Sequence, residues 1–394
     1  IPAGAGGATG ATVTVTASVI TANRAAPTVA VPIGPPCPNG PRPFALGNGG
    51  GIASWGKLTL IATTVSGNEA GGPVASDAHG GGIWSANVST LTLQDCAVTG
   101  NRSEVVAPNG RFAIGGGVHI QDGGALEIAD SIVSGNSASL TSSLPSGIDM
   151  ISNGGGIHVG DGSTVTIDDA RINGNSVTVD DPNGQPSGFD SGLIVGGSSL
   201  VLRDSTVSGN RVTANVASTT DPGPSGSALE FDGTATITDT RITDNSTTVT
   251  SDSGTAGAIG AVNAFTPGGP PSVIRDSVIS RNTVHASSNS GSATVSGAAV
   301  VNDGLLTLRN VLVSDNGASA TAPAGFVQGG GIWNGVIFNP PPVQLTLRNT
   351  LVTGNSLSAT AGITIQGGGV YTTFAIALMN SPITENIPDN CFGC

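Results

Sequence analysis

A chain of 394 residues with 61 glycines, 3% aromatic and 10% charged residues cannot build the aromatic-rich core of a conventional globular domain, and 38% apolar residues is too many for a disordered polar chain. The net charge of −13, with Lys57 the only lysine, argues against a nucleic-acid partner and against anionic membrane surfaces. No apolar run approaches the roughly 20 residues of a transmembrane helix, so no membrane span is expected.

In chain order, one unit repeats from end to end. Its clearest copy is Leu126-Glu-Ile128-Ala-Asp130-Ser131-Ile-Val133-Ser134-Gly-Asn136, with apolar residues alternating, then a small residue, a branched aliphatic and an Asn. The closing Asn recurs at Asn23, Asn68, Asn101, Asn136, Asn175, Asn210, Asn245, Asn282, Asn316, Asn355 and Asn386, at intervals of 31 to 45 residues. The aliphatic three places earlier is Ile or Val in every copy, for example Val98, Val133 and Ile172. The small column includes Ser131, Ala170, Ser205 and Cys96, which is expected to be a buried thiol. Upstream of many units stands a glycine cluster followed by an aliphatic, as in Gly80-Gly-Gly82-Ile83, Gly115-Gly-Gly117-Val118, Gly154-Gly-Gly156-Ile157 and Gly329-Gly-Gly331-Ile332.

A two-residue apolar period with β-branched residues excludes the helical repeat families, and no leucine-rich or propeller signature is present. The expected fold is all-β: a single-domain right-handed parallel β-helix of about eleven coils over residues 1–394, with a Pro-rich excursion at 32–43 and a C-terminal cap at 387–394. Coils rising about 4.8 Å apart stack equivalent side chains, so the Asn column is expected to form a hydrogen-bonded ladder through Asn68, Asn101, Asn136, Asn175, Asn210, Asn245, Asn282, Asn316 and Asn355. A second ladder is expected where Asn263, Asn302 and Asn334 continue the inward column of Ile120, Val159, Val195 and Phe231. Cys391 and Cys394 are expected to form a small structural disulfide; Cys37 has no assignable pairing.

The Gly-Gly-Gly-Ile cluster and the Ile/Val-x-x-Asn landmark together resemble the pectin-lyase-like β-helix superfamily. They are most similar to the repeats of polymorphic outer-membrane-type adhesins and of secreted bacterial β-helix proteins, over residues of about 6 to 386. An aliphatic stands where the outer-membrane repeats carry Phe. The resemblance implies a location outside the cell and contacts with polysaccharide or other surfaces.

Three columns carry candidate chemistry. An outward column after the Gly-led aliphatic reads Trp84, His119, His158, Ile194, Glu230, Val262, Val301, Trp333 and Tyr371. His119 and His158 on neighbouring coils, with Glu230 beyond them, could supply general acid–base work or a metal pair, while Trp84, Trp333 and Tyr371 could stack on sugar rings. His79 and His285 fall in loops with no evident partner. A second column holds Asp95, Asp130, Asp169, Asp204, Asp239 and Asp276, then Asn310, Asn349 and Asn380. Asp and Asn both suit a bend, and calcium at Asp169, Asp204 and Asp239 is the one cofactor left open. A hydroxyl column (Ser66, Thr99, Ser134, Ser208, Thr243) and a broken Thr rank (Thr59, Thr92, Thr166, Thr236) raise ice binding.

The segments after each Asn, such as Ser176 to Ser191, Arg211 to Gly226 and Thr283 to Gly297, are expected to be variable loops on one face. The leading expectation is a secreted or cell-surface binding protein, without catalysis, that recognises an extracellular protein or polysaccharide through that loop face. A carbohydrate-active enzyme (a polysaccharide lyase or hydrolase) or a sugar-binding module of the pectin-lyase-like superfamily, acting on the Trp84/His119/His158/Glu230 face, is the alternative. An ice-binding or self-associating solenoid is the second.

Overall fold

The computed structural model describes residues 11–27, 46–86, 88–106, 110–142, 151–184, 190–219, 226–265, 270–337 and 342–394. The Pro-rich stretch 32–43 with Cys37 lies outside the described residues. Among those described, every regular element is a strand, and each pairs in parallel with its equivalent one coil away. The molecule is a parallel β-solenoid.

One coil shows the design. A Gly-led strand, Val118–Ile120 (sheet 1), is followed by Ala125–Ala129 (sheet 2) and Ile132–Ser134 (sheet 3). The chain then runs on through Ser137–Thr141 (sheet 4) and returns through Ile151–Asn153 (sheet 5) to the next glycine cluster. Register is exact in phase with the repeat: Leu91 pairs Leu126 and Leu126 pairs Val165, while Val98 pairs Val133 and Val133 pairs Ile172. Alternating side chains from sheets 1 to 3 point inward and form one core from Leu58 to Val370. The small column is buried in it, with Thr63, Cys96, Ser131, Ala170 and Ser205 all shielded. Sheet 3 contains eleven strands, but its first and last belong to incomplete coils, so about nine turns are complete where about eleven were expected.

The corners explain the landmarks. The first glycine of each cluster has positive φ, as at Gly80 (64°), Gly115 (63°) and Gly154 (62°). The third lies so close to the neighbouring coil that a Cβ on Gly117 would stand 2.6 Å from the Gly156 carbonyl oxygen. The Asn beside it closes the corner. Asn136 Nδ2 donates to the Val98 carbonyl at 2.9 Å and to Asn175 Oδ1 at 3.0 Å, while Asn136 Oδ1 accepts the Asn101 backbone N–H at 2.9 Å. The same bonds recur from Asn23 to Asn386. At the far end Asn390 stands in for a further coil, its Oδ1 accepting the Asn386 backbone N–H at 3.1 Å. Cys391–Phe392 extends sheet 1 beside Val370–Tyr371, and Cys391 is bonded to Cys394.

Two expectations need correction. The proposed second ladder contains Asn302 and Asn334, which bond at 2.7 Å and continue to Thr372, but Asn263 is one residue out of register and Ala264 takes that place. Secondly, the segments after each Asn are mostly strands. Ser176–Asp181, Arg211–Val216 and Thr283–Ser288 belong to a ten-stranded sheet 4, and Ser292–Ser296 belongs to a four-stranded sheet 6 with Ala256–Ile259, Ala324–Gln328 and Ile363–Gln366. These sheets enclose a second core: Ala138, Leu140, Val177 and Val179 of sheet 4 share it with Ala78 and Ala113 of sheet 5 and Ala258 and Val295 of sheet 6. Small side chains let the layers approach closely enough to exclude water.

Candidate functional site

The column following the Gly-led aliphatic is set by sheet 1. Trp84 pairs His119, His119 pairs His158, His158 pairs Ile194, and Ile194 pairs Glu230. The next member is Asn263, not Val262, which pairs Leu229 and points into the core. The column continues through Val301, Trp333 and Tyr371.

The expectation that this column is exposed fails. Trp84 is 4% exposed, His119 5% and Trp333 8%. The reason is the second layer: the returning strands of sheet 5 lie against sheet 1 and bring His79, expected in a loop, onto the column. The His79 ring centroid stands 5.0 Å from that of His119, which stands 4.9 Å from that of His158. Burial is the main cause that lowers all three imidazoles: His79 to about 4, His158 to about 3, and His119 well below the usual range, with His158 and His79 further opposing charge on His119 and His79 opposing it on His158. They are neutral at pH 7. Trp55 covers Trp84 edge-on at 5.1 Å. Trp333 is packed with Ile259, Val301 and Ile337, and Tyr371 is stacked by Phe392 at 5.5 Å. Trp84 and Trp333 are therefore buried away from a sugar ring, and one face of Tyr371 is taken by Phe392.

Glu230 is not brought to the histidines, because Ile194 separates them in the column. It belongs to a different group. Its Oε2 accepts Asn263 Nδ2 at 2.8 Å, and burial together with Asp190 pushes its carboxyl well above the usual range. Asp190, raised to about 6 by burial, accepts the Ser227 backbone N–H at 2.8 Å and the Ser227 hydroxyl. This carboxylate pair was missed in the sequence because Asp190 precedes the strand motif and gave no periodic signal.

The acidic column has a conformational origin. Asp95, Asp130, Asp169, Asp204, Asp239 and Asp276, then Asn310, Asn349 and Asn380, all have φ between 46° and 54°. Asp and Asn are the side-chain-bearing residues that best tolerate this left-handed region. Asp130, Asp169 and Asp204 border an open depression of about 300 Å³ with Ala129 and Asp168. Among the described residues, no group of three or more His, Cys, Asp or Glu is arranged to hold a metal ion.

Sheet 4 presents the most regular surface. Its outward residues form adjoining ranks: Ser137, Ser176 and Ser246 in one, and Ser139, Thr178, Thr213, Thr248, Ser319 and Ser358 in the next. Arg211 and His285 interrupt them, His285 Nδ1 lying 2.9 Å from Ser319 Oγ. An Arg102–Glu104 ion pair stands towards one end. The sequence carried this signal, since Ser137-Ala-Ser-Leu-Thr141 and Ser176-Val-Thr-Val-Asp180 alternate with period two.

No protein-family model, curated protein or solved structure matches the chain.

Proposed function

We propose that the chain is a non-catalytic, adhesin-like binding protein of the cell exterior whose contact surface is sheet 4, and that its ligand is an extended polysaccharide. The observation that carries this reading is the pair of hydroxyl ranks facing outward from a ten-stranded parallel sheet. Short Ser and Thr side chains on a stacked lattice offer donors and acceptors at the coil rise of about 4.8 Å, a spacing suited to a polymer lying along the axis. The enzyme alternative is disfavoured by burial of His119 and by its separation from Glu230. The relation to pectin-lyase-like and outer-membrane-type repeat proteins forms part of this proposal and rests on the glycine cluster and the Asn ladder. Export is supported by the Cys391–Cys394 bond, since disulfides persist in oxidising compartments.

The test is binding to cell-wall and capsular polysaccharides by the parent and by Thr178→Tyr/Thr213→Tyr/Thr248→Tyr. The triple variant is expected to lose at least tenfold in affinity while retaining its fold, because three rings would lift the ligand off the lattice. Depolymerisation of any glycan by the parent, or undiminished binding by the variant, would overturn the proposal.

A second reading, ice binding, gains from the same ranks, since adjoining hydroxyl rows on a regular parallel sheet could order a water layer. Inhibition of ice recrystallisation by the parent, lost in the triple variant and unaccompanied by polysaccharide binding, would favour it.

A further inference from the structure

The three stacked histidines take no part in the function proposed above, and their environment is unusual. A column partner one coil away is held at about 4.8 Å by the solenoid itself, so the closeness of His119 and His158 needs no further cause. His79 is different. It comes from sheet 5, on the strand Asp77–His79, and reaches the column from outside. In all three rings Nδ1 is shut off from solvent and has no hydrogen-bond partner among the described residues. The same holds for Trp84 Nε1, Asn48 Oδ1 and Asn153 Oδ1, and Asn48 is the strand neighbour of His79. Buried nitrogen and oxygen atoms are ordinarily satisfied, so so many in one place mark a site built for a polar or coordinating guest.

The chemistry of the donors narrows the guest. Imidazole nitrogens are lone-pair donors suited to zinc, nickel or copper. One distance agrees. With metal–nitrogen bonds of about 2.0–2.1 Å, two imidazole centroids on one ion stand roughly 4.5–5.2 Å apart, from octahedral to tetrahedral angles. The His79–His119 separation of 5.0 Å, which the coil rise does not impose, falls in that range.

We propose that His79, His119 and His158 form a binding site for a first-row transition-metal ion of the zinc–nickel–copper class, with His119 the central ligand. No three carboxylate, thiol or imidazole groups converge among the described residues, so the ion is held by His119 and one histidine neighbour at a time, its other positions taken by amide oxygen or water. His79 and His158 are intermediate in exposure, whereas His119 is 5% exposed. Such a two-imidazole site binds more weakly than a four-ligand structural zinc site.

The experiment is calorimetric and dialysis titration of the full chain, free of any affinity tag, with Zn²⁺ and with Ni²⁺, supported by Cu²⁺ electron paramagnetic resonance. One ion per chain is expected, with nitrogen hyperfine structure in the copper spectrum. His119→Ala is expected to lower affinity at least tenfold and to remove that structure, and His285→Ala on sheet 4 to change neither. Should His119→Ala fail to give the parent circular dichroism spectrum, the double variant His79→Asn/His158→Asn carries the test and is expected to lower affinity at least tenfold. Absence of saturable binding at millimolar metal, or equal affinity in the folded histidine variants, would overturn the proposal. So would binding lost only on Asp169→Asn/Asp204→Asn, which would assign the ion to the acidic row.

Discussion

At the scale of single residues, Asn136 does the work of a coil's corner. Its side chain accepts the Asn101 N–H, donates to the Val98 carbonyl and passes the ladder on to Asn175, all in a fully buried position. Replacing it with Ala leaves the Asn101 N–H and the Val98 carbonyl buried without these partners, each at about 1–3 kcal/mol. Asn136→Ala is therefore expected to destabilise the protein by about 3 kcal/mol, read as a lower urea midpoint at unchanged slope. A shift under about 1 kcal/mol would mean that the ladder is ornamental to stability. The acidic row teaches the opposite lesson. Asp169 and Asn349 hold the same left-handed conformation at 46° and 48°, so backbone geometry accounts for either residue at that position and charge is incidental to it.

At the scale of elements, strands 190–203 and 227–238 carry groups whose protonation is coupled to folding. Asp190 is raised to about 6 from 3.8, so the folded chain keeps a proton that the unfolded chain releases. Its contribution is fully present below pH 3.8 and is lost as pH rises towards 6. The histidines act in the other direction. His79 and His158 are lowered from 6.5 to about 4 and about 3, so the unfolded chain takes up protons that the fold refuses. Their contribution is present above pH 6.5 and is lost as pH falls towards 4 and below. The two effects oppose each other between pH 4 and 6. Asp190→Asn is expected to steepen the acid loss of thermal stability in that window, and His158→Gln to flatten it. Curves parallel to the parent's, measured as Tm from pH 4 to 7, would show that neither group is linked to folding. Sheet 4 belongs to this scale as well. Its alternation was legible in Ser176-Val-Thr-Val-Asp180, but Ser, Thr and Ala in short runs read as loop unless a second core is known to lie beneath.

At the scale of the molecule, every coil touches its neighbours and little else, as the pairing of each strand with its equivalents one coil away requires. Whole coils should then be removable. Deleting residues 283–316 joins Asn282 to Gly317, which already pairs with Thr283, and keeps each column in phase. This shortened chain is expected to fold cooperatively, with a urea slope lower by about a tenth, since the slope follows the surface exposed on unfolding. A deletion of 284–316, one residue shorter, retains Thr283 before Gly317 and reverses the faces of the joined strand; it is expected to be strongly destabilised. Failure of the in-phase deletion to fold would show longer-range coupling than a solenoid allows.

The sequence by itself determined the coil, because period-two aliphatics, corner glycines and the Asn column are local patterns repeated in phase. It also placed His119 beside His158, since column neighbours follow from the repeat. Only the tertiary structure decided what covers that column, brought His79 onto it and set Asp190 near Glu230. Those outcomes depend on how irregular return segments pack over sheet 1. Such packing is fixed by contacts between chain segments of unequal length, and no periodicity records them.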